Sequence, residues 1–279
     1  RRHTRYWRDW SSDVCSSDLV GRVMDVMPNR DAPREHTISP GFTGYFPHHP
    51  RFDYSYDGTM RSIEHSLLRM GLDRLDIVLI HDCDIWTHGE HNAPIRFKEA
   101  MEGAYRALDK LRNEKVVSAI GVGVNESPTA TKLIKAGDFD VTMLAGRYSL
   151  LVQNALDEFL PLALEKKMGI MLAGVFNSGI LATGAIPGAR YDYAPASPEI
   201  IERVRKIEAV CTAHGVSIRR AALHFSLAHP AIVSVVLGGV TPQEVRANIT
   251  EVTQPVPHGL WADLKAQGLL NPAAPTPVA

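Results

Sequence analysis

Little in this chain of 279 residues is in surplus. Its 30 Lys and Arg nearly balance 31 Asp and Glu, for a net charge of −1, which argues against a dedicated nucleic-acid or anionic-membrane binder. Cysteine is scarce: Cys15, Cys83 and Cys211 show no paired or metal-like spacing, as suits a reducing compartment. No apolar run is long enough to span a bilayer. The first residues are basic and polar without an apolar core, so no secretory signal is read there. These absences describe a soluble cytoplasmic protein with neither nucleic acid nor membrane as a partner. The length suits one large α/β barrel or two ordinary domains.

The opening string, RRHTRYWRDWSSDVCSSDL, differs from everything after it. It is rich in Arg, Ser, Asp and Trp and shows neither strand alternation nor a helical apolar face. A disordered basic tail or a nucleic-acid arm is the conventional reading. The part SSDVCSSDL looks instead like the translation of a sequencing adapter joined to an incomplete reading frame. On that reading residues 1–19 are non-native, residues 20–279 form a partial domain, and no function rests on Arg1 to Leu19. Open sheet edges would then make the literal polypeptide poorly soluble.

The stretch that organises the rest is LDIVLIHDCD, Leu75 to Asp84. Ile77, Val78, Leu79 and Ile80 form the short continuous apolar run of a strand buried on both faces. It breaks into His81-Asp82-Cys83-Asp84, as parallel strands do where they reach an active-site face. A core histidine satisfied by backbone and a functional histidine both fit His81 at this point.

Around this strand the punctuation is regular. Asp57 can cap a helix carrying Met60, Ile63, Leu67 and Met70, ended by Gly71. A second helix is expected over Lys98 to Arg112, with Met101, Ala104, Tyr105, Leu108 and Leu111 on one face. Strands follow at Val116 to Val124, Val141 to Ala145, Gly169 to Gly174 and Ile232 to Leu237. Helices are expected from Ser127-Pro128 to Gly137, Leu156 to Lys167, Ser197-Pro198 to His214, Ser217 to Ala228, and behind Thr241-Pro242. Before them, Val20 to Ser55 reads as a strand end and a long loop; adjacent His48 and His49 do not converge well on one metal, and no metal site is expected. After them, Pro255 to Ala279 reads as a loosely docked helix with a frayed end. Strand and helix alternate as in a parallel α/β sheet with right-handed crossovers. Five strands are evident where a barrel needs eight, and the deficit falls at the amino end.

The segments LIHDCD, AIGVGVNES, GVFNSGILATG and VVLGGVTPQEVRANI, in that order, resemble the aldo-keto reductases, over about Val20 to Val252. FDYSYDGTMRSIEHSLLRMGLDRLDIVLIHD and NSGILATG are most similar to the aldose dehydrogenase branch acting on L-fucose, D-threo-aldoses or L-galactose. The resemblance implies a (β/α)8 TIM barrel, here incomplete at its amino-terminal end, that binds a nicotinamide dinucleotide without a GxGxxG fingerprint.

It also implies a catalytic set of Asp, Tyr, Lys and His, in which the tyrosine transfers the proton and the lysine, paired with the aspartate, lowers its pKa. His81 takes the histidine position; the lysine position falls on Leu19, and nothing in Arg1 to Leu19 resembles the Asp and Tyr motif. Tyr45 and Tyr54 stand in no matching context, so the chain as written is expected to hold one of the four residues and to be inactive.

For the cofactor, the resemblance places Asn125 on the nicotinamide carboxamide, with a turn or cap as its plain alternative. It places Gly174, Val175 and Phe176 along the pyrophosphate, Gly238 and Gly239 in the adenosine-phosphate loop with Glu244, and Asn248 facing the adenine. Where NADP-preferring members carry a lysine and an arginine, this chain has Gly238 and Glu244. A carboxylate there repels a 2′-phosphate and accepts from ribose hydroxyls, which favours NAD; Arg246 nearby keeps NADP open. Thr241-Pro242-Gln243-Glu244 is equally a capping box.

The expected activity is NAD-dependent oxidation of C1 of a small-molecule sugar to its lactone. The alternatives are an NADPH-dependent reductase of small aldehydes or ketones and a non-catalytic cofactor-binding or interaction protein. A Schiff-base lyase would need a lysine at a strand's carboxyl end, and none stands there in these strands.

Overall fold

The structure is a computed structural model that describes residues 19–26 and 48–277. Residues 1–18, and Tyr45 within 27–47, lie outside the described residues. The chain divides after Thr142 into two compact units.

In the first unit, β1 (Leu19–Val20) runs parallel to β4 (Ile77–His81), and β4 runs parallel to β5 (Ala119–Val124). In β4, Val78, Leu79 and Ile80 are all buried, as their unbroken apolar run requires. β5 is buried from Ile120 to Val124, and Val116, which the apolar run had included, is exposed ahead of it. Gly121 has no room for a side chain, since a Cβ there would lie 2.0 Å from the Val141 carbonyl oxygen.

The region read as one long loop is partly a hairpin of strands: β2 (Arg22–Val26) pairs antiparallel with β3 (His48–Phe52). That pairing joins residues far apart in sequence and leaves no local periodicity to read.

Helix α1 (Tyr56–Met70) is capped by Ser55 rather than Asp57: the Ser55 hydroxyl accepts from the Gly58 N–H at 3.0 Å. Gly71 ends it at φ 65°, donating to Leu67. The buried face is Gly58, Thr59, Ser62, Ile63 and Ser66, so α1 packs through small side chains more than through the apolar positions its pattern offered.

The second helix starts earlier than expected. Asp84 caps α2 (Ile85–Glu99), which bends at Gly89 (φ 72°) and continues through a π-helical turn at Ala100–Ala104 into α3 (Tyr105–Asn113). Gly89 and Pro94 had hidden its first half. Helix α4 (Ser127–Ala136) follows β5, and β6 (Val141–Ala145) spans the division between the units.

In the second unit, β7 (Gly169–Ala173) runs parallel to β10 (Ile232–Val236). Between them lie α6 (Ile180–Thr183), a small hairpin of β8 (Arg190–Tyr191) and β9 (Ala194–Pro195), α7 (Pro198–Ala213) and α8 (Ile218–Leu227). Ser197, Ser217 and Thr241 cap α7, α8 and α9 (Pro242–Thr253), each accepting from a backbone N–H three residues on. The helix expected over Leu156 to Lys167 is a 3-10 turn (Asn154–Leu156) followed by the shorter α5 (Phe159–Glu165).

The carboxyl-terminal segment is not loosely docked. Leu260, Trp261 and Leu264 of α10 (Gly259–Ala266), and Leu269, Leu270 and Ala274 beyond it, are all buried. Arg203 donates to the Leu269 carbonyl at 2.9 Å, and the Asn271 N–H reaches the Gln153 side chain.

Candidate active site

His81 ends β4 and Asn125 directly follows β5, so the parallel pairing of these strands sets both at the same edge. They meet on one carboxylate. Asp82 Oδ1 lies 3.2 Å from Nε2 of His81 and accepts from Nδ2 of Asn125 at 3.1 Å. Asp82 sits at φ 55°, a conformation that Asn and Asp adopt more readily than most residues.

Asp84 is fully buried, and a carboxylate removed from water needs donors. It has several: its Oδ1 accepts from the Thr87 N–H at 2.9 Å, capping α2, while its Oδ2 accepts from the Asn125 N–H at 2.9 Å and from Asn125 Nδ2 at 3.3 Å. Asn125 therefore does not cap α4, whose N-cap is Glu126; its side chain is turned to the two aspartates. Glu126 in turn accepts from the Ile85 N–H and the Thr129 hydroxyl, tying the starts of α2 and α4 together.

Behind His81, the fully buried Tyr54 donates its hydroxyl to the His81 carbonyl at 2.7 Å. The same oxygen stands 3.1 Å from Nε2 of His88, whose ring meets Tyr54 edge-on. Burial, with the nearby Arg96 guanidinium, holds the His88 imidazole below the usual histidine pKa. Cys83, between the aspartates, is buried in the core with its thiol pushed far up by burial, so it is no nucleophile at neutral pH.

The remaining residues expected to meet the cofactor lie in the second unit. Gly174 takes φ 64°, and a Cβ there would lie 2.9 Å from the Gly146 amide nitrogen; the close approach that calls for glycine is to that backbone. The Val175 side chain is buried, leaving its backbone as the part able to meet a ligand, and Phe176 is half-buried.

Asn177, which sequence reading passed over, holds this loop. It is buried at φ 45°, accepts from the Ser149 hydroxyl and donates to the Gly146 carbonyl at 3.2 Å. The Asn-Ser-Gly string, three residue types at home in left-handed or turn backbone, was the available signal.

After β10, Gly238 faces open space, while a Cβ on Gly239 would meet Val245 at 2.9 Å. The capping-box reading of Glu244 has a physical counterpart: its carboxylate accepts from the Val240 N–H at 2.7 Å and its own N–H donates to Thr241 Oγ1 at 3.2 Å. Arg246 is exposed. Asn248 is buried, and its Oδ1 accepts no hydrogen bond among the described residues. Among those residues, no group of three His, Cys, Asp or Glu could hold a metal, and no helix is long and apolar enough to cross a membrane.

Residues 14–266 match the model of the aldo/keto reductase family. The chain belongs to that family. It is 36% identical to pyridoxal 4-dehydrogenase of Microbacterium luteolum, covering 91% of this chain and 76% of that protein. It is 37% identical to a D-threo-aldose 1-dehydrogenase of a Pseudomonas species over 81% of this chain and 65% of the relative, and 27% identical to L-galactose dehydrogenase of Arabidopsis thaliana over 73% and 60%. These relatives support the aldose dehydrogenase-like branch.

Among solved structures, the glycerol dehydrogenase of Gluconobacter oxydans superposes with a TM-score of 0.61 at 18% identity, over 85% of this chain and 72% of that one. An aldo-keto reductase of Bacillus halodurans in its holo form superposes with a TM-score of 0.59 at 19% identity, over 81% and 68%. The alternating parallel strands and helices are those of the family's α/β barrel. Membership makes this an oxidoreductase scaffold of a family that works with nicotinamide dinucleotides.

Proposed function

We propose that the chain comes from an NAD-dependent dehydrogenase that oxidises C1 of a cyclic hemiacetal, most simply an aldose of the L-fucose or D-threo type, to its lactone. The observation that carries the reading is the meeting of His81 and Asn125 on Asp82. It sets a histidine that can orient a substrate oxygen beside an asparagine that can hold a carboxamide. The names of two relatives support the substrate class: a D-threo-aldose and pyridoxal both close on themselves as cyclic hemiacetals.

Residues of each unit, taken by themselves, fit a part of a dinucleotide. Asn125 has its amide oriented by carboxylates, and Gly238 leaves open space. Asn248 offers a buried acceptor with no donor among the described residues, to which an adenine amino group is complementary. Gly174 to Phe176 would follow the pyrophosphate through backbone, and Glu244 would take the ribose hydroxyls. The bound dinucleotide supplies the acceptor for the hydride leaving C1. The protein's task is to hold O1 and to receive its proton: His81 orients that oxygen, and proton acceptance falls to the tyrosine–lysine pair that the family resemblance implies.

The test is to follow NAD and NADP reduction with L-fucose, D-arabinose, L-galactose and pyridoxal, and to identify the product as a lactone. NAD-dependent lactone formation is expected from the enzyme carrying the family's Asp, Tyr and Lys. Turnover only of small aldehydes with NADPH would replace this reading with that of a carbonyl reductase. Dinucleotide binding with no turnover on any of these would favour the non-catalytic reading.

A further inference from the structure

We propose that Glu251 is a positioning residue: gripped by Ser217 and Arg220, it fixes the seat of α9 on α8 and thereby sets affinity for the adenosine end of a dinucleotide. The second half rests on reading α9 as the helix that meets the adenosine. A surface helix is ordinarily seated by burying an apolar stripe. Helix α9 is not: of its 12 residues Asn248 alone is buried, while Val245 and Ile249 are 47% and 58% exposed. The cap made by Thr241 and Glu244 orders the entry to the helix but bonds only to that entry.

The hold on α8 comes at the other end. Glu251 Oε1 accepts from the Ser217 hydroxyl at 2.9 Å, and Oε2 accepts from Nε of Arg220 at 2.8 Å. The two donors are themselves joined, since Ser217 Oγ accepts from the Arg220 N–H at 3.1 Å. They stand on a firmly seated helix, whose Ile218, Leu223 and Phe225 are buried. The Arg220 and Glu251 side chains keep 23% and 21% of their exposure, so the pair is better shielded than a surface ion pair and uses both carboxylate oxygens. Glu251 lies three residues after Asn248 and seven after Glu244, a spacing that sets the three along one side of the helix. A shift at Glu251 therefore carries the other two with it.

The test uses the full chain. Glu251→Gln keeps the length of the side chain, removes its charge and sets an NH2 among two donors. Without ligand, the amides of the last turn of α9 should exchange with water about tenfold faster than in the unaltered protein, with those of α7 unmoved. By calorimetry, affinities for ADP-ribose and NAD should fall together by about tenfold, their ratio holding within about twofold because the change lies at the adenosine end. Exchanging the partners, Arg220→Glu with Glu251→Arg, should bring exchange and both affinities back to within about threefold, which loss of either side chain alone does not do.

Should Glu251→Gln fail to fold, Arg220→Gln loosens the same clamp from the other side and carries the same readouts. Unaltered exchange in a folded variant overturns the proposal, and so does faster exchange with ADP-ribose affinity unchanged. A double exchange that restores nothing overturns the clamp as the cause. If the unaltered protein binds neither NAD nor ADP-ribose, the dehydrogenase reading fails instead. In that case fast α9 exchange in Glu251→Gln, reversed by the double exchange, still upholds the seating of α9, and its absence overturns it.

Discussion

The Tyr54 hydroxyl donates to the main-chain carbonyl of His81 at 2.7 Å, from a fully buried ring just ahead of α1. Its single proton being spent there, its oxygen is left to accept from Nε2 of His88 at 3.1 Å. Tyr54 is thus a brace under the site histidine, and a Cβ on Gly21 would lie only 2.4 Å from its ring. Tyr54→Phe keeps the ring and strands both partners, which should cost about 1–2 kcal/mol in urea unfolding. It should leave dinucleotide affinity nearly unchanged, because it touches the backbone of His81 and not Asn125. A fully stable Phe variant would show that the hydroxyl carries no strain-free bond worth keeping.

The low pKa of His88 makes a pH prediction with a definite sign. Burial, then the charge of Arg96, keep the folded imidazole below its ordinary 6.5, so near that pH the unfolded chain binds more protons than the folded one. Stability should therefore be full above the unfolded value and decline as pH falls through it toward the lower folded value. His229, buried in the second unit, acts in the same direction. Melting temperature followed from about pH 7.5 to about pH 5.5 should drop, and less steeply in His88→Gln. A slope identical in the two proteins would assign the effect elsewhere.

Much of the fold was legible because its signals are local. A cap is a side chain reaching three residues along, so Ser197, Ser217 and Thr241 could be read in order, and Val78 to Ile80 announce a strand buried on both faces. What escaped depends on distance or on a broken pattern. The β2–β3 hairpin joins Arg22 to Phe52, the first half of α2 is masked by Gly89 and Pro94, and the burial of Trp261 follows from packing that no periodicity encodes. The site divides in the same way. His81 and Asn125 are marked by strand ends and by family resemblance, whereas Asp84 acquires its meaning from a partner 41 residues on.

The π-helical turn between α2 and α3 lies against the chain that enters α1. A Cβ on Gly103 would lie 2.3 Å from the Tyr54 carbonyl oxygen and 2.8 Å from Ser55 Cα, so the helix backbone rests directly on the chain that enters α1. Gly103→Ala must push these segments apart, and the loss should be about 3 kcal/mol despite the gain in helix propensity. Because the segment pushed carries Tyr54, the variant should also disturb His81. Denaturant melts beside Gly89→Ala, whose added carbon meets nothing within 4 Å but whose φ is 72°, would separate crowding from backbone strain.

Glu244 has one structural role and one proposed role, which one substitution can separate. Its carboxylate accepts from the Val240 N–H at 2.7 Å, which secures the entry to α9, and it is the residue proposed to take the adenosine ribose hydroxyls. Glu244→Gln retains an acceptor for Val240 and removes the charge, so thermal stability should hold while the ratio of NAD to NADP affinity falls by about fivefold, the size of one screened charge–phosphate repulsion. The change should shrink in high salt, as such a repulsion must. Glu244→Lys should go further and turn the preference toward NADP, at the expense of the bond to Val240. Dissociation constants for both dinucleotides at low and high ionic strength decide the matter. A Gln variant with an unaltered ratio would leave Glu244 as a helix cap alone, and any preference for NAD would then have to come from elsewhere in this loop, such as Gly238, which offers a 2′-phosphate no cationic side chain.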